Sequence, residues 1–275
     1  MIETVLKKKA SILLIAAMIL FTPAAFAQSI EWTYPLAANI LENRSGFLIL
    51  ANRDNLLDEE FIPRNIVPVK LRGVSGPHEL RREAAEALDA LFTAAEKDGI
   101  ELYLKSSYRS WGTQNTMYQN RLEKYGKDDS VVAPPGSSDH QTGLAADVLN
   151  REWSKREGMT PAFGETAEAK WMEANCAAFG FIIRYLPEKQ DITGIIYEPW
   201  HLRYVGLEAA KYIMDHRISL EEFTEECQNA ITEYSKAGGD FLELCRKLNA
   251  PPPAVFLDEG DGEGDGEISL FYTTP

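Results

Sequence analysis

Two polar clusters, about fifty residues apart, contain residue types that could do hydrolytic chemistry. The first runs from Ser138 to Asp147 and includes His140, and the second includes Glu198 and His201. Two imidazoles and one carboxylate provide three protein ligands, which is the usual arrangement of a catalytic zinc site with an open fourth position. The spare carboxylate, Glu198, is the kind of group that a zinc hydrolase uses as a base. The clusters therefore predict a metal-dependent hydrolase.

Three of these four side chains also have an ordinary structural explanation when each is taken alone. Asp147 lies in a predicted strand among small apolar residues, where an unpaired carboxylate is costly, and loop amides could satisfy it as well as a metal. His201 would suit a core histidine bonded to a carbonyl. Glu198 would suit an ion pair with Arg203 or Arg184. Four such groups in two clusters favour a shared functional site over coincidence.

The spacing of Glu198 and His201 requires a bend in the chain. Residues three apart in a regular strand point to opposite faces, so these two side chains would diverge. Pro199 interrupts strand hydrogen bonding and permits a bulge at this point. We therefore expect both side chains to reach one pocket.

Composition limits the partners of this protein. The chain has 275 residues, an apolar fraction of 45% and a formal net charge of −14. Its apolar fraction is ordinary for a globular protein with a buried core. Because nucleic-acid binding needs a basic face, we expect no nucleic-acid partner.

The N-terminus has the pattern of a secretory signal peptide. Lysines at 7–9 precede an apolar run at 10–21, and Ala-Phe-Ala at 25–27 fits a cleavage site. The apolar run is too short to span a bilayer comfortably. We predict a signal peptide over 1–27 and an exported protein that is extracellular, cell-wall associated or periplasmic. Contact with the membrane is expected only if this segment is not cleaved.

Three cysteines allow at most one disulfide within a monomer. Cys227 and Cys245 lie on neighbouring C-terminal segments and could bridge in an exported protein. Cys176 lies in an apolar helical stretch and is expected to be a small buried hydrophobe. No Cys-x-x-Cys pair exists, so a cysteine-based metal site is not expected.

Helices and strands are mixed without a regular βαβ repeat, which favours an α+β fold. We predict an antiparallel sheet flanked by helices, with the zinc site in a cleft on the sheet. The expected helices cover residues 77–98, 111–125 and 165–179 and a segment from 207. The expected strands cover residues 47–52, 100–104, 144–149, 181–185, 192–197 and 201–205.

The chain divides into four expected segments after the signal peptide. They are a leader (28–45), a catalytic domain (46–217), a helical appendix (218–250) and an acidic low-complexity tail (251–275). The tail cannot bury apolar surface, so disorder is expected there. Alternatively, it could bind cations or a basic wall-associated partner, although its spacing is not that of an EF-hand loop.

At the two clusters the sequence resembles the VanY-type D-alanyl-D-alanine carboxypeptidases, which belong to the LAS group of zinc peptidases. The motifs are S-x-H-x-x-G-x-A-x-D at 138–147 and E-x-x-H at 198–201, with S-Y-R-S upstream at 107–110. The resemblance extends over roughly 46–217. It implies one zinc ion per chain with three ligands: His140, Asp147 and His201.

The resemblance also implies roles for four other side chains. Glu198 matches the general base, and Arg109 matches an arginine that binds the substrate's carboxylate or the developing oxyanion. Ser138 and Gln114 match positions that help to fix the C-terminal end of the peptide. An arginine suits this task because its fork binds a carboxylate in bidentate fashion.

Together with the predicted signal peptide, the resemblance implies a secreted zinc carboxypeptidase that removes the terminal D-alanine from peptidoglycan stem peptides. We expect this protein to be a monomer. A chain of this family could instead act as an L,D-carboxypeptidase or an L,D-endopeptidase on the same peptides. A non-catalytic cell-wall-binding module with a structural zinc is a further alternative, but it would use four protein ligands. The chain has no Gly-x-Ser-x-Gly motif, so a serine hydrolase has little support.

Overall fold

The computed structural model describes residues 30–74, 76–127 and 131–250. The predicted signal peptide and acidic tail lie outside these ranges, so both stay predictions. Within the described part of the chain, no helix has both the length and the apolar character needed to cross a membrane. The predicted α+β architecture is confirmed, since helices pack around an antiparallel sheet that contributes to a buried apolar core.

One four-stranded sheet carries the site, and a second sheet has two strands. In chain order, the strands are β1 (Ile66–Pro68), β2 (Glu79–Arg81), β3 (Tyr103–Ser106), β4 (Ala145–Leu149), β5 (Phe181–Ile183) and β6 (His201–Tyr204). The smaller sheet pairs β1 with β2, and the larger has the order β3-β4-β6-β5 with every neighbouring pair antiparallel. All of β4 is buried, so a polar side chain on it must find its partner inside the protein.

Eight helices occur among the described residues. They are α1 (Ala38–Leu41), α2 (Arg82–Lys97), α3 (Trp111–Tyr125), α4 (Ala167–Asn175), α5 (Gln190–Thr193), α6 (Leu207–His216), α7 (Leu220–Lys236) and α8 (Phe241–Leu248). The prediction for 111–125 is confirmed at both ends. Ser110 caps α3 by accepting a hydrogen bond from the backbone of Thr113, and Gly126 ends it in the left-handed conformation.

The leader and the helical appendix share a second apolar cluster. Trp32 and Tyr34 of the leader pack in this cluster with Phe223 of α7 and Phe241 of α8. Ile182 on the edge strand β5 belongs to the same cluster and connects it to the sheet. The two ends of the described chain are therefore built onto the side of the catalytic fold.

Two predicted strands are wrong. Residues 47–52 are irregular, because the carbonyls of Phe47 and Ile49 accept hydrogen bonds from the Arg203 side chain instead of a neighbouring strand. Residues 192–197 are not a strand either. Helix α5 covers the first part of this segment, and Gly194 ends the helix with a φ of 69°.

Three further predictions need smaller corrections. The helix expected from Pro77 begins at Arg82, because residues 79–81 pair with β1. The strand expected over 100–104 is shifted to 103–106. Cys227 and Cys245 are both buried free thiols, so the bridge that the sequence allowed between them is not formed.

Candidate metal centre and active site

The register of the larger sheet places two of the predicted ligands side by side. Asp147 on β4 is the direct partner of His201 on β6. His140 lies in a short 3-10 turn (Asp139–Thr142) just before β4. Nε2 of His140 lies 3.3 Å from Oδ2 of Asp147, and Nδ1 of His201 lies 3.3 Å from Oδ1 of the same carboxylate. We call these three side chains the metal pocket.

Gly143 makes the turn that carries His140 possible. Its φ is 69°, and its N–H donates to the His140 carbonyl. A Cβ at this position would lie 2.6 Å from Cδ1 of Ile66, which is closer than packed atoms approach. The glycine of the sequence motif is therefore favoured mainly by its left-handed backbone conformation, and the close Ile66 side chain leaves little space for a larger residue.

The hydrogen bond on the other side of the His140 ring fixes its tautomer. Nδ1 lies 2.7 Å from the backbone carbonyl of Ser107. Because a carbonyl only accepts, Nδ1 must carry the proton, which leaves a lone pair on Nε2 facing the pocket. Burial lowers the pKa of His140 and so favours the neutral form that binds metals.

The other two members of the metal pocket are strongly coupled. Burial alone would raise the pKa of Asp147, but His140 and His201 outweigh this effect and hold the pKa far below its ordinary range. Burial would lower the pKa of His201, but the carboxylates of Asp147 and Glu198 beside its ring outweigh burial and raise it to about 9 in the metal-free protein. Without a metal, a protonated His201 is therefore the counter-ion of Asp147.

The metal pocket fits a zinc ion. One nitrogen or oxygen atom from each of the three side chains lies within 4.8 Å of the others. Oδ1 of Asp147 is buried and has no hydrogen-bond partner among the described residues. An unpaired carboxylate oxygen beside two imidazoles is what a divalent cation would satisfy.

Glu198 reaches the metal pocket because the chain turns at Pro199. The backbone N–H of His201 donates to the Glu198 carbonyl, and Oε2 of Glu198 lies 3.4 Å from Nδ1 of His201. Burial raises the pKa of Glu198, although the hydrogen bond with His201 acts in the opposite direction. The alternative ion pair with Arg184 or Arg203 is not formed, because both arginines bind another carboxylate.

Arg109 is held in a fixed position at the pocket. Nη1 donates to Oε1 of Gln114 at 2.7 Å, and Nη2 donates to Oγ of Ser106 at 3.2 Å. Gln114 in turn donates to the carbonyl of Ala133 at 2.6 Å, so both ends of its amide are engaged within the protein. In this arrangement Gln114 positions Arg109 and the loop containing Ala133.

All seven predicted site residues line one cavity of about 470 Å³. Ser138 lies at its wall with 5% of its surface exposed. Apolar side chains form much of the remaining lining. They are Met117, Val131, Val132, Met159, Pro161, Ile195, Ile196 and Trp200.

Sequence reasoning missed Asp139, which directly precedes His140. Its side chain is fully buried and is paired with Arg184 and Arg203. Burial alone would raise the pKa of Asp139, but the two guanidinium groups outweigh it and lower the pKa. The signal was present in the sequence, since both arginines follow apolar residues in predicted strands. A buried arginine requires a carboxylate partner, and Asp139 is the residue that fills this role for both arginines.

The α+β fold and the buried His/Asp/His pocket with an adjacent glutamate place this protein in the class of zinc peptidases. The family model described as VanY, D-alanyl-D-alanine carboxypeptidase, matches residues 77–207. The chain is 41% identical over 192 residues to YodJ, a carboxypeptidase homologue of Bacillus subtilis (strain 168). This match covers 68% of the chain and 70% of YodJ.

The chain is also similar in fold to solved structures of zinc peptidases and carboxypeptidases. The fold is similar to that of the LD-carboxypeptidase LdcB, with a TM-score of 0.61 and 42% identity over 65% of this chain and 86% of LdcB. It is also similar to a vancomycin resistance D,D-pentapeptidase, VanY, in complex with Zn(II). There the TM-score is 0.51 and the identity 33%, over 64% of this chain and 97% of the other. The chain therefore belongs to the VanY family of D-alanyl-D-alanine carboxypeptidases, and zinc is its cofactor.

Proposed function

We propose that this protein is exported and removes the terminal D-alanine from peptidoglycan stem peptides that end in D-Ala-D-Ala. The observation that supports this most directly is the position of Glu198, 3.4 Å from a predicted zinc ligand at a cavity that Arg109 also lines. A metallocarboxypeptidase needs a general base, a metal site and a cationic group that binds the C-terminal carboxylate of the substrate. Export rests on the predicted signal peptide.

Bound zinc would supply Lewis acidity and lower the pKa of a water molecule toward about 7. Glu198 would accept the proton of that water at its carboxylate and later deliver a proton to the leaving amine of D-alanine. The raised pKa of Glu198 makes it a stronger base than an exposed glutamate. Its side chain is 12% exposed, so it borders the cavity and can receive a proton there.

Arg109 would bind the C-terminal carboxylate of the peptide and so select substrates by their free end. Two hydrogen bonds within the protein already fix the guanidinium, so little side-chain entropy is lost when a substrate binds. Burial lowers the pKa of Arg109, whereas the nearby Asp147 and Glu198 act in the opposite direction. The guanidinium therefore stays charged, as its role requires.

The direct test is product analysis on defined peptides. The mature protein with zinc and a stem pentapeptide ending in D-Ala-D-Ala should yield the tetrapeptide and free D-alanine. A chelator or His140→Ala should abolish both products, because the first removes the metal and the second removes one of its predicted ligands. Absence of the tetrapeptide under zinc-replete conditions would overturn the proposal.

A second candidate is removal of D-alanine from a tetrapeptide, in which the bond joins an L-centre to a D-residue. The similarity to the LD-carboxypeptidase LdcB favours this candidate. The pocket motifs hold the metal and do not read the length of the peptide, so both activities are compatible with them. A parallel incubation with tetrapeptide separates the two, since only the L,D-activity yields the tripeptide.

A further inference from the structure

A group of buried charges lies directly behind the metal pocket. Asp139 accepts a hydrogen bond from Nη1 of Arg203 at 2.6 Å and another from Nε of Arg184 at 2.9 Å. None of these three side chains has any exposed surface. One carboxylate between two guanidinium groups leaves one positive charge uncompensated.

Glu221, in the first turn of α7, supplies the missing negative charge. Its two carboxylate oxygens accept from Nη1 and Nη2 of Arg184 at 2.8 and 2.6 Å, which is a bidentate pair. Asn52 also donates to Glu221, at 3.2 Å. Two positive and two negative groups then balance. We call Asp139, Arg184, Arg203 and Glu221 the charge network.

The charge network is attached to both chain segments that carry imidazole ligands. Asp139 precedes His140 in the 3-10 turn. Arg203 is two residues beyond His201 on β6, so both side chains lie on the same face of that strand. In addition, the backbone N–H of Arg184 donates to the His201 carbonyl at 3.1 Å. The network therefore connects the turn that carries His140 to the strand that carries His201.

The anchor of this network comes from outside the segment that defines the family. The VanY family model matches residues 77–207, whereas Glu221 and Asn52 lie beyond its two ends. A capping box between Ser219 and Glu222 fixes the start of α7 and hence the position of Glu221. The carboxylate of Glu221 thus connects the helical appendix to the charge network behind the metal pocket.

We propose that Glu221 is a positioning residue for the metal pocket, through which the C-terminal helices hold His140 and His201 at the spacing that zinc requires. This inference rests on the proposed metal ligands and not on the identity of the peptide. Removing the negative charge would leave Arg184 with only a shared carboxylate, and the buried guanidinium would draw Asp139 and the turn away from their present positions.

The test measures metal binding in the full mature protein without any peptide. Glu221→Gln keeps the shape of the side chain and removes its charge, and we expect the zinc Kd from chelator competition to rise about 10-fold. The visible spectrum of the Co(II)-substituted protein should also change, because it reports the geometry of the ligands. Glu221→Asp retains the charge and should give a Kd between those of the wild type and Glu221→Gln.

Glu225→Gln is the matched control, because Glu225 is an exposed glutamate on the same helix. It should leave both the Kd and the spectrum unchanged.

A zinc Kd within twofold of the wild type for Glu221→Gln, with an unchanged cobalt spectrum, would overturn the proposal even if the variant melts at a lower temperature. If Glu221→Gln does not fold, Glu221→Asp takes its place: a Kd more than twofold above that of the wild type would support the proposal, and a smaller change would overturn it. Because no peptide is used, failure of the proposed carboxypeptidase activity would be seen separately.

Discussion

The metal pocket and the charge network are adjacent and both contain buried charges, but they differ in how completely those charges are hydrogen-bonded. In the charge network, each carboxylate oxygen accepts a hydrogen bond from an arginine. In the metal pocket, Oδ1 of Asp147 and Nε2 of His201 are buried without hydrogen-bond partners among the described residues. Completed pairing is typical of a scaffold, whereas an incomplete set of partners marks a place where a ligand or a reaction supplies the rest.

The largest expected effect is the loss of turnover on neutralising Glu198. Glu198→Gln should lower kcat by about 10³-fold, because the base is removed while the neighbouring His201 keeps its place. Zinc content and unfolding temperature should stay close to those of the wild type, which distinguishes a base from a fourth structural ligand. Release of D-alanine and metal analysis measure the two quantities.

Glu165→Gln provides the control for this substitution. Glu165 is exposed, and its ion pair with Lys170 lies on the surface. The kcat of the Glu165→Gln variant should therefore equal that of the wild type. If Glu198→Gln loses zinc and stability together with activity, Glu198 belongs to a closed structural site, and the catalytic assignment fails.

The next largest effect concerns the charge network and stability. Asp139→Asn leaves two buried guanidinium groups with one remaining carboxylate, and we expect it to lower the free energy of unfolding by about 3–5 kcal/mol. Urea unfolding followed by circular dichroism measures this change. A loss below about 1 kcal/mol would show that the network does not depend on its central carboxylate.

Metal-free protein should lose stability as the pH rises from about 7 to 9. The pKa of His201 is raised from 6.5 to about 9 in the fold, so its contribution is complete below pH 6.5 and disappears as the pH passes 9. The change should be on the order of 3 kcal/mol. The pKa of His140 is lowered, so its titration ends below this window.

Unfolding of the zinc-loaded protein over the same pH range is the comparison for this prediction. A histidine that binds zinc is neutral, so His201 would not titrate between pH 7 and 9 and the slope should be much smaller with the metal bound. Equal slopes with and without zinc would contradict the assignment of His201 to the metal pocket.

The smallest effect is expected at an exposed ion pair. Asp215 pairs with Lys211 on the surface of α6 at 2.6 Å, and both side chains are more than half exposed. Asp215→Asn should change the free energy of unfolding by about 0–1 kcal/mol, because solvent screens the pair. The same urea titration measures it, and the variant is the matched Asp-to-Asn control for Asp139. A cost equal to that of Asp139→Asn would mean that burial is not what makes the charge network important.

Much of the fold and the site could be predicted from local patterns. Helix α3 is marked by a serine cap and a terminal glycine, and β4 by a short apolar run, because caps and periodicity act over a few residues. Residues 47–52 show the limit of such reasoning. Their apolar run resembles a strand, but a distant arginine takes the carbonyls that a strand would have used.

The sequence by itself determined which side chains could hold zinc and which could move a proton, because those roles depend on residue type and on motif spacing. Only the tertiary structure decided how they are supported. Asp139 and Arg203 are 64 positions apart, and Arg184 and Glu221 are 37 apart. No local spacing brings such charges together. Strand register and the packing of the C-terminal helices do so, because a charge buried by those contacts must find its partner wherever the fold places one.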